Sequence, residues 1–170
     1  MHIQEIRSLL AQRTVPYELL ERMMESDGGE AFETDGPASG LSIAEAEASV
    51  GELPKDYRDW IARFGAACTQ DESVIVYGIS ISTYKSLRRP GKRGLEIATL
   101  EEGDDVRILG KEGSVASTQY DDWYPCFGSF MTSLLCERNP RLLAEFEEEL
   151  GRLPVSHPPR RSGGDRSQGR

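Results

Sequence analysis

The chain has 170 residues, 38% of them hydrophobic and 29% charged, the balance of an ordinary soluble domain large enough to bury a core. Such a composition excludes a collagen, a coiled coil and a disulfide scaffold. Formal charge is −9 but unevenly spread: from Arg152 onward five arginines accompany one aspartate, so residues 1–151 carry −13, and this acidic part repels nucleic-acid phosphates and attracts basic surfaces.

Residues 1–26 read as helical. Ile3, Ile6, Leu9 and Leu10 recur at helical spacing, and Leu19, Leu20, Met23 and Met24 resume the pattern. Thr14 is placed to cap the second helix, with Pro16 in its first turn. Residues 27–40 are glycine-rich and acidic and predict a mobile loop. Ser42 and Glu45 have capping-box spacing and open a helix with Ile43, Ala46 and Val50 on one face, ended by Gly51. Leu53-Pro54 then leads into a helix whose apolar stripe is Tyr57, Trp60, Ile61 and Phe64, ended by Gly65.

A β-rich middle follows. Val74 to Tyr77 is a short strand that Ile79 to Tyr84 can continue. Leu87 to Gly94 is a basic loop, and Leu95 to Leu100 a second strand. Asp105 to Leu109 and Ser114 to Tyr120 flank a glycine-bounded loop and predict a hairpin. Asp121 to Phe127 is an aromatic-acidic connection. Helical spacing returns at Ser129 with Phe130, Met131, Leu134 and Leu135, and Asn139-Pro140 stops that helix and starts another carrying Leu142, Leu143, Phe146 and Leu150. Helices at both ends of an antiparallel meander make the class α+β, a central sheet flanked by helices from the N- and C-terminal parts. The expected division is 1–40 (helices and mobile loop), 41–151 (the α+β domain) and 152–170 (a disordered basic tail).

Little in the chain points to catalysis. Its histidines are His2 and His157, at the extreme N-terminus and in the tail, so a histidine base in a rigid pocket is not expected. Gly91-Lys-Arg-Gly94 lacks the spacing of a phosphate loop. Arg88, Arg89, Lys92 and Arg93 can meet RNA or an acidic partner, but lack the interleaved aromatics of a single-strand binder; an exposed turn is the default reading. Cys68, Cys126 and Cys136 are odd in number and without C-x-x-C spacing, which predicts reduced thiols packed as small hydrophobes. Neither a metal nor another cofactor is expected. No signal-peptide apolar run precedes Glu5 and Arg7, and no run is long enough to cross a bilayer; a cytoplasmic protein is expected.

Two dense acidic clusters, Glu101, Glu102, Asp104 and Asp105, and Asp121 and Asp122, flank the predicted hairpin. They are either a solvated acidic rim or a surface for a basic partner, with general acid–base work or a divalent ion as lesser alternatives. Trp123 and Tyr124 beside them are interface anchors or core; Phe127 reads as core.

Ile43, Glu47, Val50-Gly51, Leu53-Pro54, Asp56-Tyr57, Ile61 and Gly65 resemble the opening of the SUKH superfamily: a short helix, a glycine, Leu-Pro, then a tyrosine-containing helix ended by glycine. Ser129 to Leu135 is similar to the family's Ser-Phe helix after its last strands, so the resemblance spans about residues 41–137. It implies a non-enzymatic bacterial immunity protein that binds and neutralises a polymorphic toxin, often a nuclease. The family's fungal relatives imply the alternative of a regulatory scaffold that binds several host proteins. The expected partner is therefore a protein and neither nucleic acid nor membrane, with Glu101, Glu102, Asp104, Asp105, Asp121, Asp122, Trp123 and Tyr124 as the candidate contact residues.

Overall fold

The structure, a computed structural model, describes residues 2–26, 30–79, 94–109, 113–117 and 122–156, Glu102 by its backbone alone. Among them, seven strands form one antiparallel sheet in chain order, and six α-helices pack with it. The fold is α+β, as the alternation of patterns predicts.

Helices α1 (Ile3–Ala11) and α2 (Tyr17–Glu25) bury Ile6 and Leu10, and Leu19, Leu20, Met23 and Met24. Thr14 does not cap α2. That cap is Pro16, without a side-chain hydrogen bond, while Thr14 Oγ1 shares a 2.5 Å hydrogen bond with Ser156 Oγ. The expected mobile loop contains β1 (Glu33–Thr34), paired with β2 (Ala67–Cys68), and Phe32 beside it is buried. Residues 27–29 lie outside the described set.

Helix α3 (Gly40–Val50) begins one turn earlier than the Ser42–Glu45 pattern suggests. Ser39 is its cap, with Oγ accepting from Ser42 N at 3.1 Å; an extended serine before the first turn takes an N–H that has no partner within the helix. Gly51 closes α3, and Leu53-Pro54 turns the chain into α4 (Lys55–Arg63). Glu47 holds this corner. Its carboxylate accepts from Arg58 Nη2 at 2.6 Å and from Leu53 N at 3.0 Å. The Arg58 hydrogen bond, with that from Leu53, lowers the Glu47 pKa below its ordinary 4.5. A carboxylate favoured as an anion in the folded state stabilises it above the unfolded-state pKa and loses that contribution as pH falls. Urea midpoints should therefore separate wild type from Glu47→Gln at about pH 7 and converge toward about pH 3. A constant gap would show that charge at Glu47 plays no part.

Tyr57, Trp60 and Ile61 of α4 are buried. Asp56 links two helix starts: Oδ1 accepts from Tyr57 N at 2.9 Å and Oδ2 from Gly128 N at 3.0 Å. It thereby joins α4 to α5 (Phe127–Arg138), which begins two residues before the expected Ser129. Ten consecutive residues of α5, Phe127 to Cys136, are buried, so it is the central helix rather than one with a single inward stripe. Ser129 is satisfied inside: its Oγ accepts from Val15 N at 3.0 Å and donates to Arg13 O at 2.5 Å. Helix α6 (Pro140–Gly151) is capped by Asn139, whose Oδ1 accepts from Arg141 N at 3.2 Å.

Strands β3 (Ile75–Val76), β4 (Leu95–Thr99), β5 (Asp105–Leu109) and β6 (Ser114–Ser117) follow the sequence reading. Besides β1, two further strands were not anticipated: β2, and β7 (Trp123–Tyr124), which pairs with β6. The continuation suggested for Ile79 to Tyr84 and the basic loop fall largely within residues 80–93, outside the described set. Of the predicted tail, residues 152–156 belong to the described set. Val155 bridges antiparallel to Arg13, and Ser156 N donates to Gln12 O at 2.8 Å.

A single buried cluster takes residues from α1 through α6 and from the inner face of the sheet. No described helix is long and apolar enough to cross a membrane.

Candidate functional site

Successive residues of a strand point to opposite faces of the sheet, and this divides the predicted contact residues. Asp104 and Tyr124 face inward. Asp104 is fully buried, 0% exposed, and accepts a hydrogen bond from Ser117 Oγ. Tyr124 is 5% exposed, packs edge-on to Phe130 with ring centroids 5.8 Å apart, and donates to Ser133 Oγ at 3.2 Å. Burial pushes its phenol up to about 12. Neither is a surface group, which removes both from the expected contact surface.

Asp105 and Trp123 belong to the opposite face. In register, Glu96, Arg107, Ala116 and Trp123 form one row across β4 to β7. Arg107 Nη2 lies 3.3 Å from Glu96 and 3.4 Å from Asp105, so Asp105 shares one guanidinium with Glu96. The Tyr77 hydroxyl extends this network to Glu96 at 3.1 Å and to Thr99.

Glu101 and Asp122 do meet. In an antiparallel meander alternate connections fall at one end of the sheet. The β2–β3, β4–β5 and β6–β7 connections thus share an end, which carries Asp71, Glu72, Glu101 and Asp122. Beside it opens a cleft of about 410 Å³ between the sheet end, α1 and α5. Its apolar lining is Ile3, Val74, Leu100 and Leu134, and its charged lining includes Arg7, Glu101, Asp122, Glu137 and Arg138. Arg7 Nε donates to Glu137 at 2.8 Å, and its Nη1 lies 3.5 Å from Asp122. The Glu137 hydrogen bond raises the Arg7 pKa further. Arg138 Nη2 reaches Glu101 at 3.0 Å and Ser73 Oγ at 2.7 Å, and its Nη1 lies 3.8 Å from Asp71. Asp121 and the Glu102 side chain lie outside the described residues.

Asp71 is locked within its turn. Oδ1 accepts from Thr69 Oγ1 at 2.7 Å, Ser73 Oγ at 2.7 Å and Ser73 N at 3.1 Å. These hydrogen bonds, Thr69 first, hold its carboxyl well below the usual range. The adjoining Glu72 takes a left-handed φ of 55°, a conformation uncommon outside glycine. The sequence reading passed over Asp71, Glu72, Arg7, Glu137 and Arg138. Thr69-x-Asp71-x-Ser73 is a local turn signal that could have found the first two. Nothing local joins Arg7 to Glu137, 130 positions apart.

All three cysteines are free thiols. Burial raises Cys126 and pushes Cys136 up to about 12, which keeps both protonated and poorly nucleophilic. No three His, Cys, Asp or Glu side chains among the described residues converge as a metal site. The geometry therefore offers an acidic, partly apolar recess built from fixed ion pairs. Comparison with protein-family models, with curated proteins and with solved structures finds no match to this chain.

Proposed function

We propose that the chain is a non-catalytic binding domain whose acidic sheet end receives a basic protein, in the manner of an immunity protein taking its toxin. The observation that carries this reading is the topological gathering of Asp71, Glu72, Glu101 and Asp122 from three separate connections at one end of the sheet, where Glu101 and Asp122 line the cleft. Carboxylates held in place beforehand lose little freedom on binding, and a surface of one sign speeds encounter with the opposite sign. The apolar lining gives such a partner something to bury beyond charge. The resemblance of residues 41–65 to the SUKH opening supplies the class of partner, a toxin domain.

The test is affinity capture by the tagged full chain at low and high salt, beside Glu72→Lys/Glu101→Lys. Both substituted side chains are exposed. A single basic protein at near-equal stoichiometry is expected, weakened by salt and about tenfold weaker with the double variant. Retention unaffected by the charge reversal would place the contact elsewhere. A diffuse set of host proteins would remove the immunity reading.

A further inference from the structure

We propose that the cleft between the sheet end, α1 and α5 takes one apolar side chain from a basic segment of the partner protein. The inference rests on the binding-domain reading above and deepens it, by naming what enters the cleft.

The apolar lining is drawn from four places. Val74 precedes β3, Leu100 belongs to the β4–β5 connection, Leu134 comes from α5 and Ile3 from the first turn of α1. Ile3 is 50% exposed, whereas Ile6 and Leu10 of the same helix are buried. A single exposed isoleucine is ordinary on a protein surface, but this one lines a recess together with three other aliphatic side chains. It is also held in place. His2 N donates to Glu5 Oε2 at 2.8 Å, which fixes the start of α1, and Arg7 Nε ties the next turn to Glu137 of α5.

The charges lining the cleft select against a charged occupant. Both guanidinium groups are already engaged, Arg7 with Glu137 at 2.8 Å and Arg138 with Glu101 at 3.0 Å. An entering cation meets Arg7 and Arg138, and an entering anion meets Glu101 and Glu137. Either one gives up hydration for a counter-charge that is already shared. A neutral apolar side chain gives up nothing polar and removes the four aliphatic residues from water. There is room for it. An apolar cavity of roughly 150 Å³ admits a benzene ring, so about 410 Å³ admits a leucine or phenylalanine side chain with the backbone beside it.

The mouth selects the neighbours of that side chain. Asp71 and Glu101 share the one guanidinium of Arg138, and Glu72 follows Asp71 in the same turn. All three carboxylates belong to exposed residues, so three negative charges face one positive charge there. Basic residues flanking the apolar one meet this excess while staying hydrated. Such rim charges act chiefly on the rate of encounter, and a buried anchor acts on the rate of escape.

The test uses three blocked tripeptides as probes: acetyl-Lys-Leu-Lys-amide, acetyl-Lys-Ala-Lys-amide and acetyl-Glu-Leu-Glu-amide. Each is titrated into the full chain, and ¹³C–¹H methyl spectra are recorded. Lys-Leu-Lys should saturably shift the methyls of Ile3, Val74, Leu100 and Leu134, with a Kd on the order of 1 mM. Lys-Ala-Lys and Glu-Leu-Glu should each bind about tenfold more weakly. Ile3→Ser, at an exposed position, should weaken Lys-Leu-Lys about fivefold and leave Lys-Ala-Lys unchanged. Glu72→Lys/Glu101→Lys should weaken both lysine peptides alike. Equal binding of the leucine and alanine peptides would overturn the proposal, as would the absence of saturable shifts at the cleft methyls. Cleft signals that move with protein concentration alone would give the site to a second copy of the chain and overturn it too. If the tripeptides fail while capture of a basic protein still responds to the charge reversal, the apolar anchor falls and the binding-domain reading stands. If Lys-Leu-Lys is preferred but no protein is captured, the anchor stands and that reading falls.

Discussion

Trp60→Ala is expected to cost about 4 kcal/mol of folding stability, the scale of a large aromatic deleted from a core that only partly collapses. Trp60 is 0% exposed. Its ring lies 4.7 Å from Phe64 and 5.7 Å from Phe127, centroid to centroid, and Phe127 in turn lies 4.8 Å from Tyr57. This aromatic group is where α4 meets α5. The indole also donates from Nε1 to Gly65 O at 3.0 Å, tying down the end of α4. Alanine would remove the ring contacts and that hydrogen bond together. Trp60→Phe keeps an aromatic ring and loses the donor, so about 2 kcal/mol is expected there. Urea unfolding followed by far-ultraviolet circular dichroism reads both variants, since the signal does not depend on the indole. A loss under about 1 kcal/mol for Trp60→Ala would mean that this aromatic group is peripheral to stability.

Gly128→Ala is expected to destabilise the fold by about 3 kcal/mol, although helix propensity alone predicts a gain of about 1 kcal/mol for that exchange inside a helix. Gly128 sits in the first turn of α5, where the α1–α2 connection crosses it closely. A Cβ at this position would lie 2.3 Å from Val15 O and 3.3 Å from Val15 C. The obstacle is backbone, and it cannot swing aside as a side chain can. Val15 N is hydrogen-bonded to Ser129 Oγ, and Gly128 N to Asp56, so relief of the clash would break the contacts that seat α5. The measurement is again the urea midpoint. A stabilised Gly128→Ala protein would show that the α1–α2 connection is free to lift away from α5.

Both substitutions separate what neighbouring residues can announce from what distant ones impose. Helix α4 was legible because Leu53-Pro54 starts it, Gly65 follows it and an apolar stripe runs between. The β5–β6 hairpin was legible because two β-prone runs surround a glycine-bounded loop. Strands β1, β2 and β7 were not, because two residues are too few to display an alternation. Their pairing comes from strands already in place beside them. Helix α5 looked one-sided because Gly128, Ser129, Thr132 and Ser133 are small or polar, yet all four are buried. At least Ser129 and Ser133 have hydrogen bonds to other elements that make this possible.

The candidate site divides in the same way. Acidity along residues 101–105 and 121–122 was plain in the chain, but the face each residue occupies was not. Asp104 and Asp105 are adjacent, yet one is buried against Ser117 and the other is paired with Arg107 on the outer face. Strand alternation separates them, and its phase is set by the register with β4 and β6. Composition, periodicity and turn chemistry determined the α+β class, most helices, the central hairpin and the acidic character, because each depends on residues within a few positions. Only the tertiary structure decided which carboxylates share the cleft, that Arg7 and Arg138 brace it, and that Val155 and Ser156 return to α1. Those contacts join residues from about 40 to more than 140 positions apart, where pairing depends on how the sheet and helices close together.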